Sequence, residues 1–186
     1  DIDNTMYAPE DGGMGFYALS KSVSYAPRRL TVLLDDATKD IADNNYKHCF
    51  VVNKLDHYIY TVMVRGQLVR IKPNTRTCEL LLKKVGTSTR PDACDSYCAF
   101  SPVKGQENML YIAMAEGNQI WRVDVGNLEG KDKNTYPGEG YAGKAIVEGQ
   151  VAGKGWEDGL LRNAKFNNPH QICFTEDGKL YIADCG

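Results

Sequence analysis

The sequence predicts an all-β protein: a β-propeller of four-stranded antiparallel blades, of which this chain holds only part of the ring. Three observations predict it. Apolar runs are short and separated by turn residues such as Asp177-Gly178 and Arg65-Gly66. A strand-turn-strand pattern recurs along the chain, and self-similarity of this kind is the mark of repeat architectures. Helical periodicity is weak throughout.

Each element follows from that pattern. Residues 1–45 are expected to hold an irregular start and the outer strands of one blade. The first 15 residues are polar, with Pro9 and Gly12-Gly13, and take no assignment; Phe16-Tyr17-Ala18-Leu19 and Leu30-Thr31-Val32-Leu33-Leu34 read as strands. Residues 46–94 form a complete blade. Its strands are Cys49-Phe50-Val51-Val52, Tyr58-Ile59-Tyr60, Gln67-Leu68-Val69-Arg70-Ile71 and Cys78-Glu79-Leu80-Leu81-Leu82.

Residues 95–165 repeat the scheme: Ser96-Tyr97-Cys98-Ala99-Phe100, Leu110-Tyr111-Ile112-Ala113, Gln119-Ile120-Trp121-Arg122-Val123-Asp124 and Lys144-Ala145-Ile146-Val147. The Gly-rich stretch 126–143 between the last two reads as a loop insertion. Residues 166–186 supply the first half of a further blade: Ile172-Cys173-Phe174, the Asp177-Gly178 turn, and Leu180-Tyr181-Ile182-Ala183. A propeller typically has at least four blades, so the remaining blades are expected from sequence outside this chain.

Composition narrows the partners. The content of 42% hydrophobic and 25% charged residues is ordinary for a globular protein. Basic residues number 22 against 24 acidic ones, a net charge of −2, so no basic field favours nucleic acid. The longest apolar run, residues 109–115, is far shorter than the roughly 20 residues a membrane helix needs. The opening Asp-Ile-Asp-Asn is not signal-like, and any export signal or anchor is expected outside this sequence.

The six cysteines show no C-x-x-C spacing and do not make a zinc ribbon. Cys49, Cys98 and Cys173 fall at one position of the aligned repeat, so they are expected to be small buried thiols packed against a neighbouring blade. Cys78, Cys94 and Cys185 lie outside that alignment.

One stretch carries a family resemblance. Asp158-Gly159, Ala164, Phe166, Pro169, Asp177-Gly178 and Asp184 match a pattern of a D-G loop, A-x-F-x-x-P, an apolar strand, a D-G turn and L-Y-V-A-D. The chain thus resembles the NHL-repeat β-propellers over about 30 residues, and more loosely elsewhere, where Met114 replaces Asp184. It also resembles exported cell-surface NHL proteins of gut Bacteroidetes, which often carry an IPT/TIG domain ahead of the propeller. That resemblance implies an extracellular or bacterial cell-surface location and a role in glycan or nutrient capture. Fold alone does not give function.

The innermost strand of each blade begins at the central channel, so the residues three positions ahead of the aligned cysteines, Tyr46, Asp95 and His170, are the first site candidates. Tyr97 and Trp156 join them, because aromatic rings at strand entrances or in loops can stack on sugars or pack on a protein. The expected site is therefore Tyr46, Asp95, Tyr97, Trp156 and His170, serving a noncatalytic module that binds a glycan or a protein or peptide ligand.

A zinc lyase acting on hydroxylated peptides resembles the same family, and His170 stands in its Phe-Asn-x-Pro-His context. That resemblance makes His170 a metal candidate, although zinc needs about three protein ligands and the other two positions hold no histidine. A histidine at a channel mouth also serves as a plain hydrogen-bonding group. No G-x-S-x-G, P-loop or H-E-x-x-H motif is present. Calcium is the other ion considered, through Asp92, Asp95, Asp158, Asp177 and Asp184, but Asp158 and Asp177 precede glycine and read first as turn formers. No cofactor is otherwise expected.

Overall fold

The computed structural model describes residues 5–9, 16–20, 24, 26–34, 38, 49–63, 66–85, 96–134, 138–144 and 153–186. They form four antiparallel sheets in chain order. The first holds β1 (Met6–Pro9), β2 (Phe16–Leu19) and β3 (Pro27–Leu30). The second holds β4 (Val51–Val52), β5 (Ile59–Val62), β6 (Leu68–Lys72) and β7 (Thr77–Leu82). The third holds β8 (Ser96–Phe100), β9 (Met109–Met114), β10 (Gln119–Asp124) and β11 (Glu139–Ala142), and the fourth β12 (Pro169–Phe174) and β13 (Leu180–Asp184).

Strand order within each sheet follows the chain, as tight turns between short strands dictate. Consecutive sheets pack face to face, which is the blade stacking of a β-propeller; the described residues do not close a ring. One core layer lies between each pair of sheets. Phe16, Leu30 and Val32 meet Ile59, Val69 and Ile71 in the first layer; Tyr60, Leu68 and Leu82 meet Cys98, Leu110 and Ile112 in the second. Tyr111, Ala113 and Ile120 meet Ile172 in the third.

Because side chains alternate along a strand, β9 serves two layers at once. Leu110, Ile112 and Met114 face the preceding sheet, Tyr111 and Ala113 the following one. This explains why the middle strands read as continuous apolar runs rather than as an alternation.

A Tyr-Arg-Glu ladder repeats in both four-stranded sheets. Tyr60 lies opposite Arg70, and Arg70 opposite Glu79; Tyr111 lies opposite Arg122, and Arg122 opposite Glu139. Arg70 donates to Glu79 from Nη2 at 2.7 Å, and Arg122 donates to Glu139 from Nε at 2.7 Å. Each arginine thus stands between its tyrosine and its glutamate in the cross-strand register. Burial, then the hydrogen bond from the Tyr60 hydroxyl to Asp56 at 2.6 Å, raises the Tyr60 pKa and keeps the phenol protonated.

The ladder relocates the fourth strand of the third sheet. The sequence places it on Lys144-Ala145-Ile146-Val147, but β11 lies inside the stretch read as a loop. Lys144 is outside any strand, and residues 145–147 are not among those described. Cross-strand partners decide the matter: Glu139 pairs with Arg122, and the Tyr141 ring meets Tyr111 edge-on at 4.9 Å. The rest of the insertion is not merely polar loop either. Leu128 is buried in the second core layer, and Lys133 accepts a backbone hydrogen bond from Lys83 at 3.0 Å, tying the insertion to the preceding sheet.

Two other expectations change. Met6–Pro9, left without assignment, is a strand paired to β2. The run 30–34 is split: Leu30 ends β3, and Leu33 bridges to Thr77 of the second sheet.

The three aligned cysteines do not share one position. Tyr60 pairs with Val51, Tyr111 with Ala99 and Tyr181 with Cys173, which fixes the structural register. On that register Cys49 lies two residues before the shared position, Cys98 one residue before it, and Cys173 on it. One step along a strand flips the side chain to the other face. Cys98 is therefore buried toward the preceding sheet, Cys49 is half-buried toward the following one, and Cys173 is exposed.

Replacing Tyr60 by Phe should cost about 1–2 kcal/mol, because Asp56 loses the hydroxyl that donates to it, while Tyr60→Ala should cost about 3–5 kcal/mol through the cavity as well. Leu160→Ala, at a residue 81% exposed, should change stability by less than about 0.5 kcal/mol. Urea denaturation of the three variants checks the ranking.

Candidate functional site

The strands of one end of the blades carry the candidate site. β12 begins at Pro169, which has no N–H to offer a ladder and so suits a strand start. A bulge follows: Pro169 pairs with Asp184 and Ile172 with Ile182, so His170 and Gln171 together take the place that Tyr97 fills alone in the third sheet. The bulge re-aims His170 toward the neighbouring blade. Its ring lies 5.5 Å from that of Tyr97, centroid to centroid, tilted by 39°.

Ahead of β12 stands Asn167-Asn168. Asn168 has a φ of 65°, unusual before proline and tolerated by asparagine better than by most residues. Two carboxyl or amide groups hold it there. The Asn167 N–H donates to both Asp184 oxygens at 2.9 Å, and the Asn168 N–H donates to Asn118 Oδ1 of the third sheet at 2.9 Å. Asn118 itself is at a φ of 50° in the β9–β10 turn. The turn is thus tied both to its own hairpin and across the seam to the preceding blade.

Beside it lies a pocket of about 380 Å³ lined by Glu116, Asn118, Lys154, Asn167 and Asn168. Asn167 is 4% exposed, and its Oδ1 accepts no hydrogen bond among the described residues. Gly186 packs against this side chain and donates its N–H to the Asn167 main-chain carbonyl oxygen at 2.7 Å.

Of the residues expected in the site, the structure brings Tyr97 and His170 together. Trp156 stands on the connection into β12, 74% exposed, with neither a ring contact nor a hydrogen bond among the described residues. That connection is ordered around it: Gly155 N donates to Phe166 O, Lys165 N to Glu157 O, and Lys165 and Glu157 form an ion pair. Tyr46 and Asp95 lie outside the described residues, as do Asp92, Cys94 and Tyr136.

Asp177 and Asp184 have structural partners. Asp177 sits in the turn before Gly178, accepts the Thr175 hydroxyl, and lies 2.7 Å from Lys179 Nζ, which with Thr175 holds its carboxyl below the usual range. Among the described residues no group of three His, Cys, Asp or Glu side chains is placed to hold a metal ion.

The asparagines were missed in sequence. Their signal is positional: Asn118 and Asn168 both occupy left-handed backbone positions next to strand ends. A second cleft of about 440 Å³ opens at the opposite end, lined by Asp56, Arg70, Glu79, Asn108 and Lys131. Arg70 and Glu79 are committed to each other there, and Asp56 to Tyr60.

No family model matches the sequence, and no curated protein matches it. Solved structures do share its fold. A protein of unknown function from Bacteroides thetaiotaomicron is 19% identical with a TM-score of 0.68, over 97% of this chain and 39% of its own. An auxiliary nutrient binding protein from the same species is 17% identical with a TM-score of 0.64, over 97% of this chain and 40% of its own. One from Bacteroides ovatus is 19% identical with a TM-score of 0.63, over 98% and 40%. The chain spans about two fifths of the length of these structures. No helix among the described residues is long and apolar enough to cross a membrane.

Asn118→Ala should leave the Asn168 N–H without its acceptor, cost about 1–3 kcal/mol, and speed amide exchange at residue 168, while Asn118→Asp keeps the acceptor. Unchanged exchange in the alanine variant would show that the cross-blade bond does not hold the turn.

Proposed function

We propose that this chain is part of a noncatalytic, NHL-type binding propeller that takes a glycan at the end of the blades where Tyr97 and His170 meet. The observation that carries the reading is the pairing of those two rings across the seam, at the strand ends near which a polar pocket opens. A sugar offers both complements, an apolar face for the rings and hydroxyls for the polar side chains of the pocket, Glu116, Asn118 and Lys154. Trp156 adds an exposed ring on the same connection. Affinity comes from groups held in place by the blades, so the reading calls for no metal or cofactor.

The nutrient binding proteins that share the fold support this class of function, and their source supports an exported, cell-surface location. A binding face at the blade ends also agrees with NHL-type architecture, to which the Asp158-Gly159, Phe166, Pro169 and Asp177-Gly178 pattern points. The remaining blades of the ring come from sequence outside this chain, and nucleic acid has no place in the reading.

Screening the complete protein on a glycan array, followed by calorimetry on the best oligosaccharide, tests this. Tyr97→Ala and His170→Ala should each weaken binding about tenfold or more, roughly 1.4 kcal/mol, with thermal unfolding unchanged. Retention of a peptide library with no glycan signal would move the ligand class to peptides. About one zinc per chain after dialysis against a weak chelator would overturn the noncatalytic reading, since His170 would then be a ligand.

A further inference from the structure

The second seam, between the β4–β7 and β8–β11 sheets, contains a pair of thiols that the binding face does not use. Cys49 leads into β4 and Cys98 lies in β8, 49 residues further on. Their sulfurs are 3.8 Å apart. The Cys98 backbone N–H points at Cys49 Sγ from 3.5 Å, and Cys49 Sγ lies 3.6 Å from the Cys98 carbonyl oxygen. Cys98 is buried, while Cys49 is half-buried and the more exposed of the two.

We propose that Cys49 and Cys98 form a reversible disulfide that staples one blade to the next. A disulfide bond is about 2.05 Å long, so closure brings the two sulfurs, now 3.8 Å apart, closer by about 1.75 Å, a movement that rotation of the half-buried Cys49 side chain can supply. Of the other described cysteines, Cys78 is buried in the first core layer, and Cys173 and Cys185 are exposed.

The chemistry is thiol–disulfide exchange with an oxidant of the disulfide class, either glutathione disulfide or an oxidoreductase. The Cys49 thiolate attacks one oxidant sulfur; a mixed disulfide forms and one oxidant thiolate leaves. Cys98 gives up its proton, attacks the Cys49 sulfur and displaces the second thiolate. The Cys49–Cys98 bond forms as the Cys49–oxidant bond breaks. Two electrons and two protons pass from the cysteine pair to the oxidant, which ends as two thiols.

The polarity of the pair suits that order. The Cys98 thiol donates to Cys49 and, against the effect of burial, lowers the Cys49 pKa to about 7, while the same contact and burial push Cys98 well above the ordinary thiol value. The more exposed sulfur is the one that ionises first. Exported proteins meet oxidants of this class, but the geometry of the pair does not depend on where the protein resides.

The test is a glutathione redox titration of the complete protein, quenched by denaturing alkylation and mapped by mass spectrometry without reduction. A Cys49–Cys98 linked peptide pair, lighter by two hydrogens and released by dithiothreitol, is the expected result. Cys173 and Cys185 should take glutathione and serve as the internal check on the oxidant. In Cys98→Ser, Cys49 should stop at the glutathione adduct. Oxidation should raise the unfolding midpoint of the parent protein by about 10 °C and leave that of Cys98→Ser unchanged. Recovery of Cys49 and Cys98 both alkylated while Cys173 and Cys185 carry glutathione, or linkage of Cys49 to another cysteine, would overturn the proposal.

Discussion

The structure depends on a tyrosine that works in two directions. In the second and third sheets it sits mid-strand opposite the arginine of the adjacent strand, with its ring edge-on to a phenylalanine of the next sheet. Tyr60 meets Phe100 at 5.2 Å and Tyr111 meets Phe174 at 5.0 Å between ring centroids. A phenylalanine could fill the seam, and a polar residue could join the ladder; only tyrosine does both. The residue that takes its place in one sheet's ladder thus also packs against the neighbouring sheet.

From that constraint the rest follows in order. The arginine–glutamate pair fixes which residues form the outermost strand, and the outermost strand fixes how much of the 126–143 stretch is structure. The seam places β8 beside β12, so the first residues of the two innermost strands come together at one end. Tyr97 and His170 are neighbours for that reason, although 72 other residues separate them in the sequence.

Hairpins were the legible part of the sequence, because Asp-Gly and the apolar runs around it act over a few residues. What spans strands was not. The ladder joins Tyr111 to Glu139 through Arg122, and no local window contains all three. The apolar Ala145-Ile146-Val147 drew the fourth strand away from Glu139-Gly140-Tyr141-Ala142 for the same reason. Aligning the cysteines by identity gave one position where pairing gives three, since a one-residue slip costs nothing in a sequence comparison and reverses a side chain in a sheet. In the site, aromatic candidates stood out by type, whereas Asn118, Asn167 and Asn168 owe their importance to backbone geometry. The resemblance to NHL repeats rests on the residue pattern alone, and the solved structures share the fold.

The turn before β12 has a further meaning. Asn168 is bonded to Asn118 across a seam, and the two rings of the site belong to different blades. A ligand held as proposed would therefore grip both sides of a joint. By mass action it stabilises the docked arrangement of the two sheets in proportion to its affinity, and any change that loosens the joint weakens binding without touching a contact residue. Recognition and cohesion at this seam are one equilibrium seen from two sides.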